Sequence, residues 1–526
     1  MENTSLPNTF TNPVIPGFYS DPSLCRDNDH YYAAFSSFEY YPGVPLFHSR
    51  DLINWKQISY CLTRDSQLSL EDAVTSDGIY APTLRMYNHK FYMITSNRCS
   101  KYGNHFYVTA SRPEGPFSEP VWITDVSGNS VDGVDPSLFF DADGSVYFSC
   151  VAWDREGQGI GQALIDLSTG KLLEPLRIVW HGTGRTFPEG PHTYLINGWY
   201  YLMIAEGGTE YGHQVSIARS RNIKGPYEPC PHNPVLSQNY QMIQGGCIQG
   251  TGHGDLFQAH DSTWWLIVHG FRTSLGKLHH LGRETMLVPV TWDEENWPVV
   301  SQNGWIGERT SLQGVFSNAV QEDIPGFTDD FSSDTLDMHW TFLRNPNMQN
   351  YHFSAVNGKG AVLIGTSDTL NDEKSPVWLG IRQRHFNCRA EIDMSFAPNV
   401  SDEAGFTVYQ TPEHHYDVAV TSENGITVCF LRKTAGDIEW TGEKITLPAD
   451  NFQIQMYASR TEYRFSVLAN GKNYSLGSGR TQLLSTEAMQ YQNFTGTFLA
   501  LYASSPNKKP SPAHFKFFQY RSGDEI

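Results

Sequence analysis

Five short runs decide the fold: Tyr31-Tyr32-Ala33-Ala34-Phe35, Phe91-Tyr92-Met93-Ile94-Thr95, Val146-Tyr147-Phe148-Ser149-Cys150, Tyr200-Tyr201-Leu202-Met203-Ile204 and Trp264-Trp265-Leu266-Ile267-Val268. Each is apolar and rich in rings or β-branched residues, as a buried strand is. Their first residues lie 60, 55, 54 and 64 positions apart. Turn residues precede four of them: Asp27-Asn28-Asp29-His30, Asn88-His89-Lys90, Asp141-Ala142-Asp143-Gly144 and Asn197-Gly198; the fifth follows His260-Asp261-Ser262-Thr263. These are hairpin signals.

A third element recurs downstream of the hairpins. Phe47-His48-Ser49-Arg50-Asp51-Leu52-Ile53-Asn54-Trp55 matches Thr109-Ala110-Ser111-Arg112-Pro113-Glu114-Gly115-Pro116-Phe117, and again Ile217-Ala218-Arg219-Ser220-Arg221-Asn222-Ile223-Lys224-Gly225-Pro226-Tyr227. Four strands in a unit of about 55–60 residues, repeated radially, predict a propeller blade. Five units fill residues 12 to about 310, so a five-bladed β-propeller is expected over 1–318. Beyond Val315 the repeat stops, and Gln321-Glu322-Asp323-Ile324-Pro325-Gly326 reads as a linker. Alternating runs such as Ala390-Glu391-Ile392-Asp393-Met394-Ser395-Phe396 and Phe406-Thr407-Val408-Tyr409 then predict an antiparallel β-sandwich over 326–526. The fold class is all-β. Asp329-Asp330-Phe331, at the sandwich's start, either caps a turn or offers oxygen ligands to a structural Ca²⁺.

Bulk composition agrees with two domains, because 526 residues exceed what one core organises. A formal charge of −19 argues against a nucleic-acid partner. No apolar run approaches the roughly 20 residues of a membrane helix. Met1-Glu2-Asn3-Thr4-Ser5-Leu6-Pro7 has neither a basic nor an apolar leader region, so a cytoplasmic location is expected, or a secreted one if a leader was removed. Cysteines 25, 61, 99, 150, 230, 247, 388 and 429 are isolated and read as small apolar residues rather than metal ligands or bridges. Abundant Trp and Tyr suit a carbohydrate, whose C–H faces stack on rings.

Registering the blades on their first strands aligns Tyr19-Ser20-Asp21-Pro22-Ser23, Ile79-Tyr80-Ala81-Pro82-Thr83, Val134-Asp135-Pro136-Ser137, Pro188-Glu189-Gly190-Pro191-His192 and Thr251-Gly252-His253-Gly254. Innermost strands line the channel, so radial symmetry brings Asp21, Asp135 and Glu189 together. Three carboxyls in one funnel cannot all ionise freely, and like charge with burial raises at least one pKa. One protonated and one ionised carboxyl is what glycoside hydrolysis requires, the first for the leaving oxygen and the second for water. His253 also faces inward, either to bind an ion or as a hydrogen-bonded structural residue. Arg283 either clamps sugar hydroxyls or pairs with an acid. A non-catalytic carbohydrate-binding propeller would not need three converging acids. A retaining invertase-like enzyme would carry Asn-Asp-Pro, Arg-Asp-Pro and Glu-Cys signatures, which do not stand at the blade positions.

The chain resembles glycoside hydrolase family 43, in its β-xylosidase/α-L-arabinofuranosidase branch with an appended concanavalin-like sandwich. The resemblance covers nearly the whole length. It rests on Asn12-Pro13-Val14-Ile15-Pro16-Gly17-Phe18-Tyr19-Ser20-Asp21-Pro22-Ser23, Ser36-Ser37-Phe38-Glu39-Tyr40-Tyr41-Pro42-Gly43-Val44-Pro45 and Val134-Asp135-Pro136-Ser137-Leu138. It continues through Glu189-Gly190-Pro191-His192, Ala205-Glu206-Gly207-Gly208-Thr209, Gly282-Arg283-Glu284-Thr285 and Phe494-Thr495-Gly496-Thr497-Phe498. The resemblance implies an exo-acting, inverting hydrolase that releases terminal xylose or arabinofuranose from xylo-oligosaccharides or arabinoxylan fragments. It implies Asp21 as general base, Glu189 as general acid and Asp135 as modulator of the acid, with acid and base roughly 6.5–9.5 Å apart. Phe38 and Tyr80 would line the sugar subsite, Arg283 would contact the sugar, and Phe494 would reach from the sandwich to close the pocket. His253 matches a channel histidine that in some relatives contacts calcium or another ion. The chemistry would need no cofactor. Many relatives carry Trp where Tyr80 stands, which bears on the choice between xyloside and arabinofuranoside. The sandwich faces suggest a homo-oligomer.

Overall fold

Turn chemistry sets the hairpins. Asn88 and His89 take φ of 46° and 59°, and Asn197 and Gly198 take 51° and 74°. Two consecutive left-handed residues make the tight turn whose twist matches paired strands. Thr83–Tyr87 therefore pairs with Lys90–Ser96, and Glu189–Ile196 with Trp199–Glu206. A computed structural model of the chain describes residues 9–243, 246–274, 277–301, 303–354, 358–447 and 451–523.

Five antiparallel sheets follow the sequence repeat. Their first strands are Ser23–Asp27, Thr83–Tyr87, Ser137–Phe140, Glu189–Ile196 and Ile248–Gln258. Each first strand touches the first strands of the blades on either side, so the five close a ring around one axis. The third and fourth blades carry a fifth strand each. Each gap between blades is filled by its own apolar cluster, such as Cys25, Tyr32, Leu84, Phe91 and Val108 between blades one and two. Another fills the gap between blades five and one, with Tyr31, Phe47, Trp265 and Ile267. The ring closes through the N-terminal segment. Asn12 Nδ2 donates to Leu287 O and Asn12 Oδ1 accepts from Leu287 N, both at 2.9 Å. Thr9–Thr11 pairs with Arg309–Ser311.

The second unit is two sheets face to face. The eight-stranded sheet includes Cys388–Ser395, Phe452–Ala458 and Pro512–Ser522; the seven-stranded sheet includes Val377–Arg382, Glu403–Thr411 and Phe498–Ser504. Ile392, Ile454, Phe515, Phe406, Val418 and Leu501 meet in the core between them. Asp329 Oδ1 accepts from Phe331 N, and Asp329 Oδ2 from Trp340 Nε1. Asp330 accepts from Ser332 N and Lys359 Nζ. These carboxylates cap a turn, and that turn opens the sandwich. All eight cysteines are free thiols.

The two units share structure next to the channel mouth. Phe342–Leu343 of the sandwich pairs with Tyr40–Tyr41 of blade one. Phe18, Phe38 and Tyr40 of the propeller pack with Trp378, Tyr409, Phe498 and Tyr502 of the sandwich. Gly282 and Gly496 approach so closely that a Cβ on Gly282 would lie 2.8 Å from Gly496 Cα, so a side chain there would separate the units.

Candidate active site

Four blades bring a left-handed residue to the same end of the channel: Asp21 (φ 55°), Asp135 (56°), Gly190 (59°) and His253 (41°). A non-glycine residue in that region is strained and persists only where its surroundings hold it. The equivalents of Asp21 and Asp135 are therefore Gly190 and His253. Glu189 stands one residue out of register with the other two carboxylates, which corrects the alignment expected from sequence. The reason is steric. A Cβ on Gly190 would sit 2.8 Å from His253 Cδ2 and Nε2. Only glycine leaves room for that ring, and the strand register shifts between Glu189 and His192 to place the acid beside it.

The three carboxylates do meet. His253 Nδ1 is 3.6 Å from Asp21 Oδ1 while its ring covers Gly190. Asp135 Oδ2 accepts from Gly190 N at 3.2 Å. Asp21 and Asp135 are buried, whereas the Glu189 side chain stays 23 % exposed. Their environments differ sharply. Burial pushes the Asp21 carboxyl up, but Arg283, His269 and His253 outweigh it and hold it well below the usual range. Arg283 Nη1 donates to Asp21 Oδ1 at 2.9 Å, His269 Nδ1 lies 2.9 Å from the same oxygen, and the Ser20 and Ser36 hydroxyls donate to Oδ2. Burial, opposed by His253 and reinforced by the charges of Glu189 and Asp21, pushes Asp135 up to about 7. Glu189 is also raised, by burial first and by Asp21 against the pull of His253 and Arg283.

Arg283 pairs with an acid, one of the two roles expected of it. Besides Asp21, its Nη1 donates to Thr209 Oγ1 at 3.0 Å and its Nε to Phe494 O at 3.1 Å. Its Nη2 is buried and finds no hydrogen-bond partner among the described residues. The guanidinium also stacks between Phe38 and Phe494, 5.4 and 5.3 Å from their ring centres. Phe38, Tyr80 and Phe494 form one aromatic wall, with Phe38 5.2 Å from Tyr80 and 5.6 Å from Phe494. Phe494 is positioned across the domain boundary: its N donates to Ser76 Oγ at 2.9 Å, and Ser76 Oγ donates to Asn493 Oδ1.

Sequence reasoning missed the histidines behind the acids. His269 lies within the second strand of blade five, Trp264–Arg272; its Nε2 meets Thr209 Oγ1 at 3.1 Å. His213 stacks on it with ring centres 4.8 Å apart. His213 Nδ1 faces the Gly250 carbonyl at 3.3 Å, and a carbonyl can only accept, so Nδ1 carries the hydrogen. The lone pair on Nε2 is then buried, with no hydrogen-bond partner among the described residues, 3.7 Å from Glu189 Oε1. The available signal was position: a histidine directly after Trp264-Trp265-Leu266-Ile267-Val268 falls on the half of that strand nearer the mouth, opposite Gly252.

Below the carboxylates the channel-facing row continues at every second residue: Ser23, Thr83, Arg85, Ser137, His192, Tyr194 and Asp255. Asp255 accepts from Arg85 Nη1 at 2.6 Å, Ser23 Oγ at 2.8 Å, Leu24 N at 3.0 Å and Tyr194 OH at 2.7 Å. Arg85 Nη2 also reaches His192 Nδ1 at 2.7 Å. Thr83 Oγ1 donates to Pro136 O, which ties in blade three. A guanidinium thus supplies the positive charge inside the channel. Among the described residues no three His, Cys, Asp or Glu side chains converge to hold a metal ion.

Two protein-family models match the chain: "Glycosyl hydrolases family 43" over residues 10–298 and "Beta xylosidase C-terminal Concanavalin A-like domain" over residues 328–521. A Bacteroides ovatus protein named non-reducing end α-L-arabinofuranosidase is 40% identical over 533 residues, covering 100% of this chain and 97% of its own. A solved structure titled as the GH43B protein of a Bacteroides ovatus xyloglucan locus superposes with TM-score 0.90 at 40% identity, over 98% of this chain and 100% of that one. A xylan β-1,4-xylosidase from Bacillus halodurans superposes with TM-score 0.90 at 30% identity, again over 98% and 100%.

Proposed function

Since the chain belongs to glycosyl hydrolase family 43, we propose that it removes single pentose units from the non-reducing ends of xylan- or arabinoxylan-derived oligosaccharides by single-displacement inversion. Asp21 is the general base: it stays ionised and takes a proton from the attacking water. Glu189 is the general acid: it stays protonated and gives its proton to the leaving oxygen. Asp135 sits behind Gly190 and keeps the acid side loaded, because two neighbouring carboxyls share their proton more readily than they both ionise. Arg283 fixes Asp21 and turns its unpaired Nη2 toward a sugar hydroxyl. The carrying observation is the contrast between one strongly ionised carboxylate and a raised pair at a single channel mouth.

Removal of one unit at a time is supported by the aromatic wall of Phe38, Tyr80 and Phe494, which packs around the Arg283 that holds Asp21. The relative named as an arabinofuranosidase favours a second reading, in which arabinofuranosides are the main substrate; the Tyr at position 80 bears on that choice. Calcium is no part of the proposal. Ca²⁺ takes six to eight oxygen ligands, whereas His253 offers an imidazole beside a carboxylate already held by Arg283, with Arg85 below. A homo-oligomer remains part of it, supported by the exposed Ile438 and Trp440 on an edge strand of the sandwich.

Two variants test the roles. Asp21→Asn should lower kcat about 10³-fold on every pentoside. Glu189→Gln should lower it by a similar factor on oligosaccharides but far less on aryl glycosides with good leaving groups. Equal losses of Glu189→Gln across both leaving groups would remove the acid assignment.

A further inference from the structure

We propose that Phe187 and Trp153 form a stacking platform for the pyranose rings on the leaving side of the scissile bond, a proposal that rests on the glycosidase reading. A general acid must face the leaving oxygen, so the departing sugar lies on the outer side of Glu189. Two exposed rings stand there. Phe187 comes two residues before Glu189, has φ 55° and is 56% exposed. A bulky residue in the left-handed region is a genuine outlier, and such strain gathers at ligand sites. The Phe187 ring lies 3.4 Å from the Cβ position of Gly208. Gly208 precedes Thr209, whose hydroxyl meets Arg283 and His269 in the pocket. Phe187 is therefore on the rim of the same mouth.

Trp153 reaches this rim from blade three. It is 55% exposed and pairs across the hairpin with Gln158. Directly paired residues share a sheet face. Gln158 Nε2 donates to Pro188 O at 3.2 Å, between Phe187 and Glu189, and His181 Nδ1 meets Gln158 O at 3.1 Å. The hairpin thus leans on blade four beside the acid, with its indole turned to that side. Neutral pyranose rings stack their C–H faces on such surfaces, and the hydroxyls remain in water.

The test compares substrates that differ only beyond Glu189. Xylotriose is measured against β-xylosyl fluoride, and arabinofuranosyl-substituted xylotriose against arabinofuranosyl fluoride, because fluoride leaves no sugar on that side. The ratio of kcat/KM for oligosaccharide over fluoride cancels the fraction of folded enzyme. Phe187→Asn keeps a residue that tolerates positive φ but removes the ring; Trp153→Ala removes the other. Each should lower the ratio about fivefold, and the double variant more. Ratios within about twofold of the starting enzyme in both variants would overturn the platform. A starting enzyme inert toward all four substrates would instead refute the glycosidase reading, and the platform with it.

Discussion

With Arg283 Nη1 and His269 Nδ1 each 2.9 Å from Asp21 Oδ1, the base carboxylate keeps its charge far into acid, while burial holds a proton on the Asp135–Glu189 pair. The signs give a pH profile. Activity needs Asp21 ionised, so it is lost only as pH falls through a pKa held well below the usual carboxylate range. It needs Glu189 protonated, so it is also lost as pH rises through the raised pair, whose Asp135 member stands at about 7. The kcat/KM profile should be a bell with a broad acidic shoulder and an alkaline limb displaced above the ordinary carboxylate range. His213 sharpens the expectation. Its neutral imidazole, held neutral by burial, offers Nε2 as an acceptor to protonated Glu189. His213→Phe keeps the stacking on His269 but removes the acceptor, and should move the alkaline limb down by about half a unit to one unit. A lower kcat with an unmoved limb would reduce His213 to a packing residue.

At the scale of strands, Arg85 and Asp255 pin the channel. Both lie on innermost strands; burial pushes the Asp255 carboxyl up, but Arg85 above all, with His192 and Tyr194, outweighs it and holds it down at about 2. Arg85→Met strands a buried carboxylate and should cost about 3–5 kcal/mol in chemical denaturation. The double variant Arg85→Met/Asp255→Leu should recover much of that loss. A single-variant loss below about 1 kcal/mol would mean that the pair does not hold the blades. This row also shows what the sequence made legible. The hairpin turns at Asn88-His89 and Asn197-Gly198 advertise themselves through residues that tolerate left-handed backbone, so blade number, strand order and Asp21 and Asp135 could be read directly. Arg85 and Asp255 lie four and two residues along the same inward-facing alternation. Their pairing needs the ring to close, and nothing local marks it. Glu189 was found, but its register was not, because the alignment took no account of the space that the His253 ring demands over Gly190. His213 and His269 escaped because one stands just before a third strand and the other within a second strand, and both approach the site only through its three-dimensional curvature.

The molecule as a whole works as one unit because the sandwich completes the pocket. Phe494 O receives Arg283 Nε, Thr497 N donates to His280 O, and Phe342–Leu343 pairs with Tyr40–Tyr41 of the propeller. Residues 1–318 alone would expose Phe18, Tyr40 and the edge at Tyr40–Tyr41, and would lose the closing ring. That fragment should be poorly soluble and should keep less than about 1% of the activity. A soluble fragment with full turnover would make the sandwich an accessory. The sequence indicated a second β domain from its alternation, yet its intimate seat on the propeller appeared only through single residues such as Gly282 and Gly496, whose smallness has no local cause. Proton NMR of the sugar in the first minutes of hydrolysis, before mutarotation, addresses the mechanism most directly. The three-carboxylate arrangement predicts that β-xylosides release α-xylose first. Initial release of the β anomer would mean covalent attack by one of the carboxylates, and the assignment of Asp21 as a base for water would fall.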